Sequence, residues 1–230
     1  MNISKFKNKY RTETSRLKGW DYSTPGAYFV TICTKNLFQY FGKITPDDKF
    51  NSIDEIRNLV KLNDAGNIVN EEWLNTLILR KNVILDEFVI MPNHFHGIIF
   101  IIDAKIYRRD ALHASPALHA SLKKEKAHEK NIFDEFNLPS IGDTRSVSLH
   151  AAQYKNEFGK QSNNLASIVG GFKSACTSRI HKTGTTNFAW QSRFHDHIIR
   201  NEKSLNKIRE YIIHNPIKWK HDKYFKKTKF

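Results

Sequence analysis

The apolar positions of this chain fall into short runs separated by polar punctuation. Residues 27–34 (AYFVTICT) are rich in aromatic and β-branched side chains, which predicts a strand. Residues 38–44 (FQYFGKI) offer a second, shorter one. Residues 51–80 hold one or two helices. The better spans 70–79, where Trp73, Leu74, Leu77 and Leu79 are spaced to cover a buried side. Two strongly apolar runs, 83–90 and 94–102, are split near Pro92-Asn93 and read as adjacent strands with a tight connection. After a long polar interval a helix returns at 165–181, with Ile168, Val169, Phe172, Ala175 and Cys176 as its stripe. Residues 188–200 read as a strand, with His195, His197 and Ile199 on one side and Asp196 and Ile198 on the other. Residues 202–214 form a last helix burying Leu205, Ile208, Ile212 and Ile213. Asn201 suits its N-cap, and Pro216 ends it because a residue before proline avoids the α region. The order β, β, α, β, β, insertion, α, β, α predicts an α+β fold, a ferredoxin-like (RRM-like) antiparallel sheet with helices on one face.

The polar interval, 104–164, lacks an apolar period and holds a short duplication, Ala111-Leu112-His113-Ala114-Ser115 followed by Ala117-Leu118-His119-Ala120-Ser121. Two copies are too few for a solenoid, so the interval reads as a flexible insertion. The chain then divides into a basic arm (1–26), one domain built from 27–103 and 165–217, the insertion, and a basic tail (218–230). Charge sharpens the picture. The 37 Lys and Arg against 23 Asp and Glu leave +14, which favours a polyanionic partner, most simply nucleic acid. No long apolar run and no lipidation signal point to a membrane, and the polar N-terminus has no secretory core. A cytoplasmic, nucleoid-associated protein, monomer or homodimer, is the expectation. Cys33 and Cys176 stand far apart without a metal or redox spacing, so they read as reduced structural thiols.

Chemistry concentrates at Met91-Pro92-Asn93-His94-Phe95-His96-Gly97. If His94 opens a strand, His94 and His96 point to one face and Phe95 to the other, toward a core. Two imidazoles side by side form a ready pair of divalent-metal ligands, although the same pattern also describes two surface histidines on a half-buried strand. The last helix supplies what a catalytic site would still need. Tyr211 and Asn215 lie four residues apart on neighbouring positions of one face. A tyrosine can attack phosphorus as a phenolate, and a divalent cation held by His94, His96 and the amide oxygen of Asn215 would polarise the phosphate.

The strings RLKGWDYSTPGAYFVTICT, MPNHFHGII, IVGGFKSACTSRI, WQSRFHDHIIRNEKSLNKIREYI and HNPIKW, in this order, resemble the REP-associated tyrosine transposases. These belong to the single-tyrosine branch of the HUH endonucleases, and His94-Phe95-His96 matches HUH with Phe as the bulky residue. The resemblance implies a ferredoxin-like fold with the catalytic tyrosine on the last helix. It also implies cleavage of single-stranded DNA through a 5′-phosphotyrosine link, and Mg²⁺ or Mn²⁺ as cofactor. By that match Tyr211 is the nucleophile, His94 and His96 are metal ligands, and Asn215 stands where the family places a third, with His214 and His197 as substitutes. The implied partner is single-stranded or hairpin DNA of repetitive palindromes. Candidate contacts are Arg16, Lys18, Lys173, Arg193, Arg200 and Lys218 on phosphates, and Gln191, Trp20 and Trp190 on unpaired bases. Two other readings stay open: a non-catalytic nucleic-acid-binding module of the same fold, and a metal-dependent phosphodiesterase that uses water.

Overall fold

The computed structural model describes residue 17 and residues 20–45, 52–103 and 163–225. Arg16, Lys18 and nearly all of the insertion lie outside the described residues.

The framework is a four-stranded antiparallel sheet. Its strands are β1 (Gly26–Cys33), β4 (Val83–Met91), β5 (His94–Ile101) and β6 (His195–Ile199), arranged β4-β5-β1-β6. A smaller two-stranded sheet pairs β2 (Gly42–Ile44) with β3 (Val60–Leu62). The helices are α1 (Ile53–Asn58), α2 (Asp64–Leu79), α3 (Leu165–Lys182) and α4 (Glu202–His214). Read as β1-α2-β4-β5-α3-β6, the main sheet has the ferredoxin-like layout. Only part of the apolar run at 38–44 becomes strand, and it joins the small sheet instead of the main one. The strand expected over 188–200 is shorter, and Trp190 meets Thr34 in an isolated bridge ahead of it.

Side-chain alternation along β5 divides the molecule into two cores. Phe95, Ile99 and Ile101 face α2 and α3, where the Trp73 ring lies 4.4 Å from Phe95 and 5.2 Å from Phe172. Gly97 lies on this side, and a Cβ there would meet the Trp73 ring at 2.7 Å, so the indole occupies the space a side chain would need. Ile98, Phe100 and Ile102 face the other way, with Ala27 and Ile199, and are covered by Leu205 and Ile212 of α4. The expected helix-covered face is thus made by α2 and α3, while the last helix lies across the opposite face, which also carries His94 and His96. Arg209 ties α4 to the edge strand through a 2.7 Å bond from Nε to Asp86.

Two helix expectations need correction. α2 begins at Asp64, not 70, with the Asn63 side chain capping it by accepting from the Gly66 amide. Its buried positions are Ala65, Gly66, Ile68, Val69, Glu72, Trp73 and Thr76, a helical stripe that includes the polar Glu72 and Thr76. Leu74 and Leu79 lie off that stripe and are 37% and 74% exposed. Glu72 stays in the stripe because Arg179 of α3 reaches it at 2.7 Å. On the last helix Leu205 and Ile212 are buried, while Ile208 and Ile213 are only half-buried. Both cysteines are free and buried, as structural thiols would be. Among the described residues no helix is long and apolar enough to cross a membrane.

Candidate active site

The site grows from the β4–β5 turn. Pro92 holds its φ near the helical value and Asn93 keeps a negative φ, so the connection is not one of the primed turns. This turn pairs Met91 with His94 and fixes the parity of β5. On the other side β1 sets Cys33 opposite His94 and Thr31 opposite His96. The two imidazoles are fully buried on the α4 face, with their Nε2 atoms 3.1 Å apart.

A neighbouring side chain decides which nitrogen of His94 carries the proton. The Asn93 Oδ1 lies 2.8 Å from His94 Nδ1, and an amide oxygen only accepts, so Nδ1 is protonated and Nε2 presents its lone pair. His96 Nδ1 lies 2.8 Å from the Thr31 hydroxyl, which can serve either tautomer because it both donates and accepts. Burial pushes His94 down to about 3, with the Lys223 ammonium adding to the effect. Burial also holds His96 well below the ordinary imidazole value, followed by His94 and Lys223. Both rings are therefore neutral and able to act as ligands.

This neutrality has a measurable consequence. A group with a depressed folded pKa binds fewer protons folded than unfolded, so acidification below the unfolded value favours the unfolded chain. The metal-free protein is expected to hold full stability from these groups above about pH 6.5 and to lose it as pH falls, for His94 down to its folded value of about 3. Each histidine contributes up to about 1.4 kcal/mol per pH unit. Denaturant unfolding at stepped pH checks this, and His94→Gln/His96→Gln should flatten the slope.

Tyr211 of α4 stands beside the pair. Its hydroxyl lies 3.3 Å from His96 Nε2, its ring centroid 5.3 Å from the imidazole, and Phe29 meets it edge-on at 6.1 Å. It is 41% exposed, and partial burial, then the Asp222 carboxylate, raise its phenol above the ordinary value. Asn215 follows as the C-cap of the same helix and is buried. Its Nδ2 donates to Asp222 at 3.3 Å, while its buried Oδ1 has no hydrogen-bond partner among the described residues.

The chain beyond Asn215 contributes a residue that sequence reasoning missed. A 3-10 turn at Trp219–His221 brings Asp222 back to the histidines. Ligand atoms of His94, His96 and Asp222 all lie within 4.8 Å of one another. Part of the stretch read as a basic tail therefore belongs to the site, and its buried Trp219 and Tyr224 rings lie 6.0 and 4.7 Å from His94. Its only signal along the chain is a set of aromatics in a basic segment. The imidazole pair, the carboxylate and the orphaned Asn215 oxygen are a donor set suited to a divalent cation. His214 is exposed, with Nδ1 bonded to the Glu210 carbonyl, and His197 is exposed on β6 opposite Phe29, so neither joins the group.

The proposed DNA contacts are dispersed. The main-chain N–H of Gln191 donates to the Cys33 carbonyl, at the end of β1 that pairs with His94. Lys173 holds that segment by donating to the Gln191 and Ser192 carbonyls at 2.6 and 3.4 Å. Arg193 is exposed just before β6, and Lys218 is exposed three residues after Asn215. Arg200 follows Ile199, which pairs with Ala27 at the far end of β1 from the histidines. Trp20 is half-buried and donates to the Tyr28 hydroxyl. Trp190 is no base-stacking platform: it is buried, 5.1 Å from the Phe41 ring and 5.3 Å from Phe188.

No protein-family model matches the chain. Among solved structures, a REP-associated tyrosine transposase bound to a REP hairpin aligns with 90% of this chain and 74% of that one, at 16% identity and a TM-score of 0.43. Among curated proteins, an uncharacterized protein of Haemophilus influenzae is 35% identical over 210 residues, covering 91% of each chain. With that identity over nearly the whole of both, this protein belongs to the same family as the Haemophilus influenzae one.

Proposed function

We propose that this protein is a metal-dependent single-stranded DNA endonuclease and strand transferase that uses Tyr211 as nucleophile on hairpin-forming repetitive palindromes. One juxtaposition carries the reading: the Tyr211 oxygen lies 3.3 Å from His96 Nε2, itself 3.1 Å from His94 Nε2. His94 and His96 would hold Mg²⁺ or Mn²⁺, with oxygens of Asp222 and Asn215 at hand, and oxygen donors suit both ions. When bound, such an ion polarises the scissile phosphate and offsets the charge that builds on it.

The chain's own residues do the rest. The Tyr211 phenolic oxygen forms a bond to phosphorus as the bond from phosphorus to the 3′ oxygen breaks, leaving a 5′-phosphotyrosine and a 3′ hydroxyl. The phenol is neutral at pH 7, so its proton passes to water at its exposed side during attack, and the departing 3′ oxygen takes a proton from water. Attack by a 3′ hydroxyl on the same link reverses the step without ATP, because the phosphodiester is conserved. Gln191, Arg193 and Lys218, with Arg16, Lys18 and Trp20 of the arm, would hold the strand; Lys173 would act by fixing the 191–192 backbone, and Arg200 on a more distant stretch.

The test is labelled hairpin DNA with single-stranded flanks, incubated with Mn²⁺ or Mg²⁺ and run on a denaturing gel. A labelled protein–DNA adduct supports the reading; cleavage without one assigns the nucleophile to water; neither product leaves a binding module. Binding should be steeply salt-dependent: with about six to ten phosphate contacts, affinity falls about 10³- to 10⁵-fold between roughly 50 and 200 mM salt. A flat response measured by fluorescence anisotropy would count against a nucleic-acid partner.

A further inference from the structure

Asn93 is fully buried, and all of its side-chain hydrogen-bonding groups are engaged. Its Nδ2 donates to the carbonyl of Leu37 at 3.1 Å and of Tyr224 at 2.8 Å. Two carbonyls facing the nitrogen fix the orientation of the amide, so its oxygen faces His94 Nδ1 at 2.8 Å. Its main-chain oxygen accepts from the amide and the hydroxyl of Thr34. Three segments distant in sequence meet at this one residue: the β4–β5 turn, the 34–38 loop and the turn that carries Asp222.

Two of those segments need holding. In the 34–38 loop Asn36 and Leu37 both have positive φ, 59° and 58°, a region that leucine rarely adopts. Asn93 captures the carbonyl of that leucine. The turn after α4 is closed by local backbone bonds, such as Asp222 to Trp219 at 3.1 Å, which shape it without tying it to the sheet. Yet it brings Asp222 to the histidines. There the Asp222 carboxylate accepts from the Tyr224 amide at 2.6 Å, and Asn93 accordingly grips the same residue whose amide anchors Asp222.

We propose that Asn93 is the positioning residue of the metal site, one side chain that both sets the tautomer of His94 and pins the Asp222 turn, so that cation binding and seating of that turn are coupled. This rests on the metal reading above. The oxygen end keeps His94 Nε2 unprotonated, as a metal ligand must be. The nitrogen end keeps the carboxylate within reach of it. A cation that draws on both halves favours the seated turn by the same factor by which the seated turn favours the cation.

The full-length chain tests this with Asn93→Ala and Asn93→Asp. Three quantities are read: Mn²⁺ affinity by electron paramagnetic resonance, the His94 tautomer by imidazole ¹⁵N shifts in the metal-free protein, and amide exchange at 222–225 with and without Mg²⁺. In wild type His94 should carry its proton on Nδ1, and Mg²⁺ should slow exchange at 222–225. Asn93→Ala should weaken Mn²⁺ binding about 10- to 100-fold, with faster exchange there. Asn93→Asp keeps an acceptor for His94 but has no donor for the two carbonyls. It should retain the Nδ1 tautomer while losing the Mg²⁺-dependent protection. A purely structural asparagine would not separate these readouts. If Asn93→Ala does not fold, Asn93→Asp decides alone, and unchanged metal-dependent protection in it overturns the proposal. Wild-type Mn²⁺ affinity in a folded Asn93→Ala, or a wild-type His94 protonated on Nε2, overturns it too. A wild-type chain that binds no Mn²⁺ brings down the metal reading itself, which is a different result.

Discussion

Tyr211→Phe is expected to leave a folded protein that binds hairpin DNA and neither cuts it nor becomes linked to it. The substitution removes one oxygen and keeps the ring, so the edge-on contact with Phe29 and the packing on His96 survive. The hydroxyl gives up a long 3.3 Å contact with His96 Nε2, and that nitrogen keeps His94 Nε2 beside it at 3.1 Å, so the stability change should stay within about 1 kcal/mol. DNA affinity should change little, since phosphate contacts elsewhere supply most of it. Cleavage should fall by at least about 10⁴-fold, the scale on which removing a covalent nucleophile acts. Single-turnover gels with labelled DNA, beside thermal unfolding, read all three. Continued cleavage by the phenylalanine variant, with no adduct in wild type, would make water the nucleophile. An adduct that persists in the variant would move the nucleophile to another phenol. Tyr224, 4.7 Å from the His94 ring, would be first to examine, although burial pushes its phenol up to about 12.

His94→Ala should abolish Mn²⁺ binding and cleavage together. It removes one of two imidazoles whose Nε2 atoms lie 3.1 Å apart and deprives the Asn93 oxygen of its donor. The loss of affinity should exceed the roughly 10- to 100-fold typical of losing only a supporting partner. In the metal-free protein the variant should also be destabilised, because it leaves a cavity and an unpaired Asn93 oxygen in a fully buried place. Calorimetric titration with Mn²⁺ and an EDTA-controlled cleavage assay provide the check. Cleavage that continues in EDTA, or in the alanine variant, would refute the role of the histidines in metal binding.

Much of this protein is determined by local pattern. The strand runs at β1, β4 and β5 are legible because apolar and β-branched residues cluster there between breakers, and a strand's parity follows from its sequence once one residue's direction is known. For that reason the amino-acid order alone places His94 and His96 on one face, with Phe95 on the other. The α4 helix is bounded by Asn201 and Pro216, so the proximity of Tyr211 and Asn215 along one helix face is local information too. α2 is less legible, because Leu74 and Leu79 look like core by composition. Its actual buried stripe includes Glu72, which is tolerated only because Arg179 arrives from a helix some hundred residues later.

What the tertiary structure alone decided is which distant groups meet the histidines. α4 lies on the sheet face opposite α2 and α3 because β5 is apolar on both sides, and each side needs a cover. Nothing local in 202–214 says which side it will take, yet that choice brings Tyr211 to His96. Asp222 sits in a basic segment with no motif of its own, and meets the site where Trp219 and Tyr224 bury their rings beside His94, Asn93 donates to the Tyr224 carbonyl and Asn215 donates to Asp222 itself. Hydrogen bonds of this kind join residues far apart in sequence, and they leave no periodicity along the chain from which they could be read.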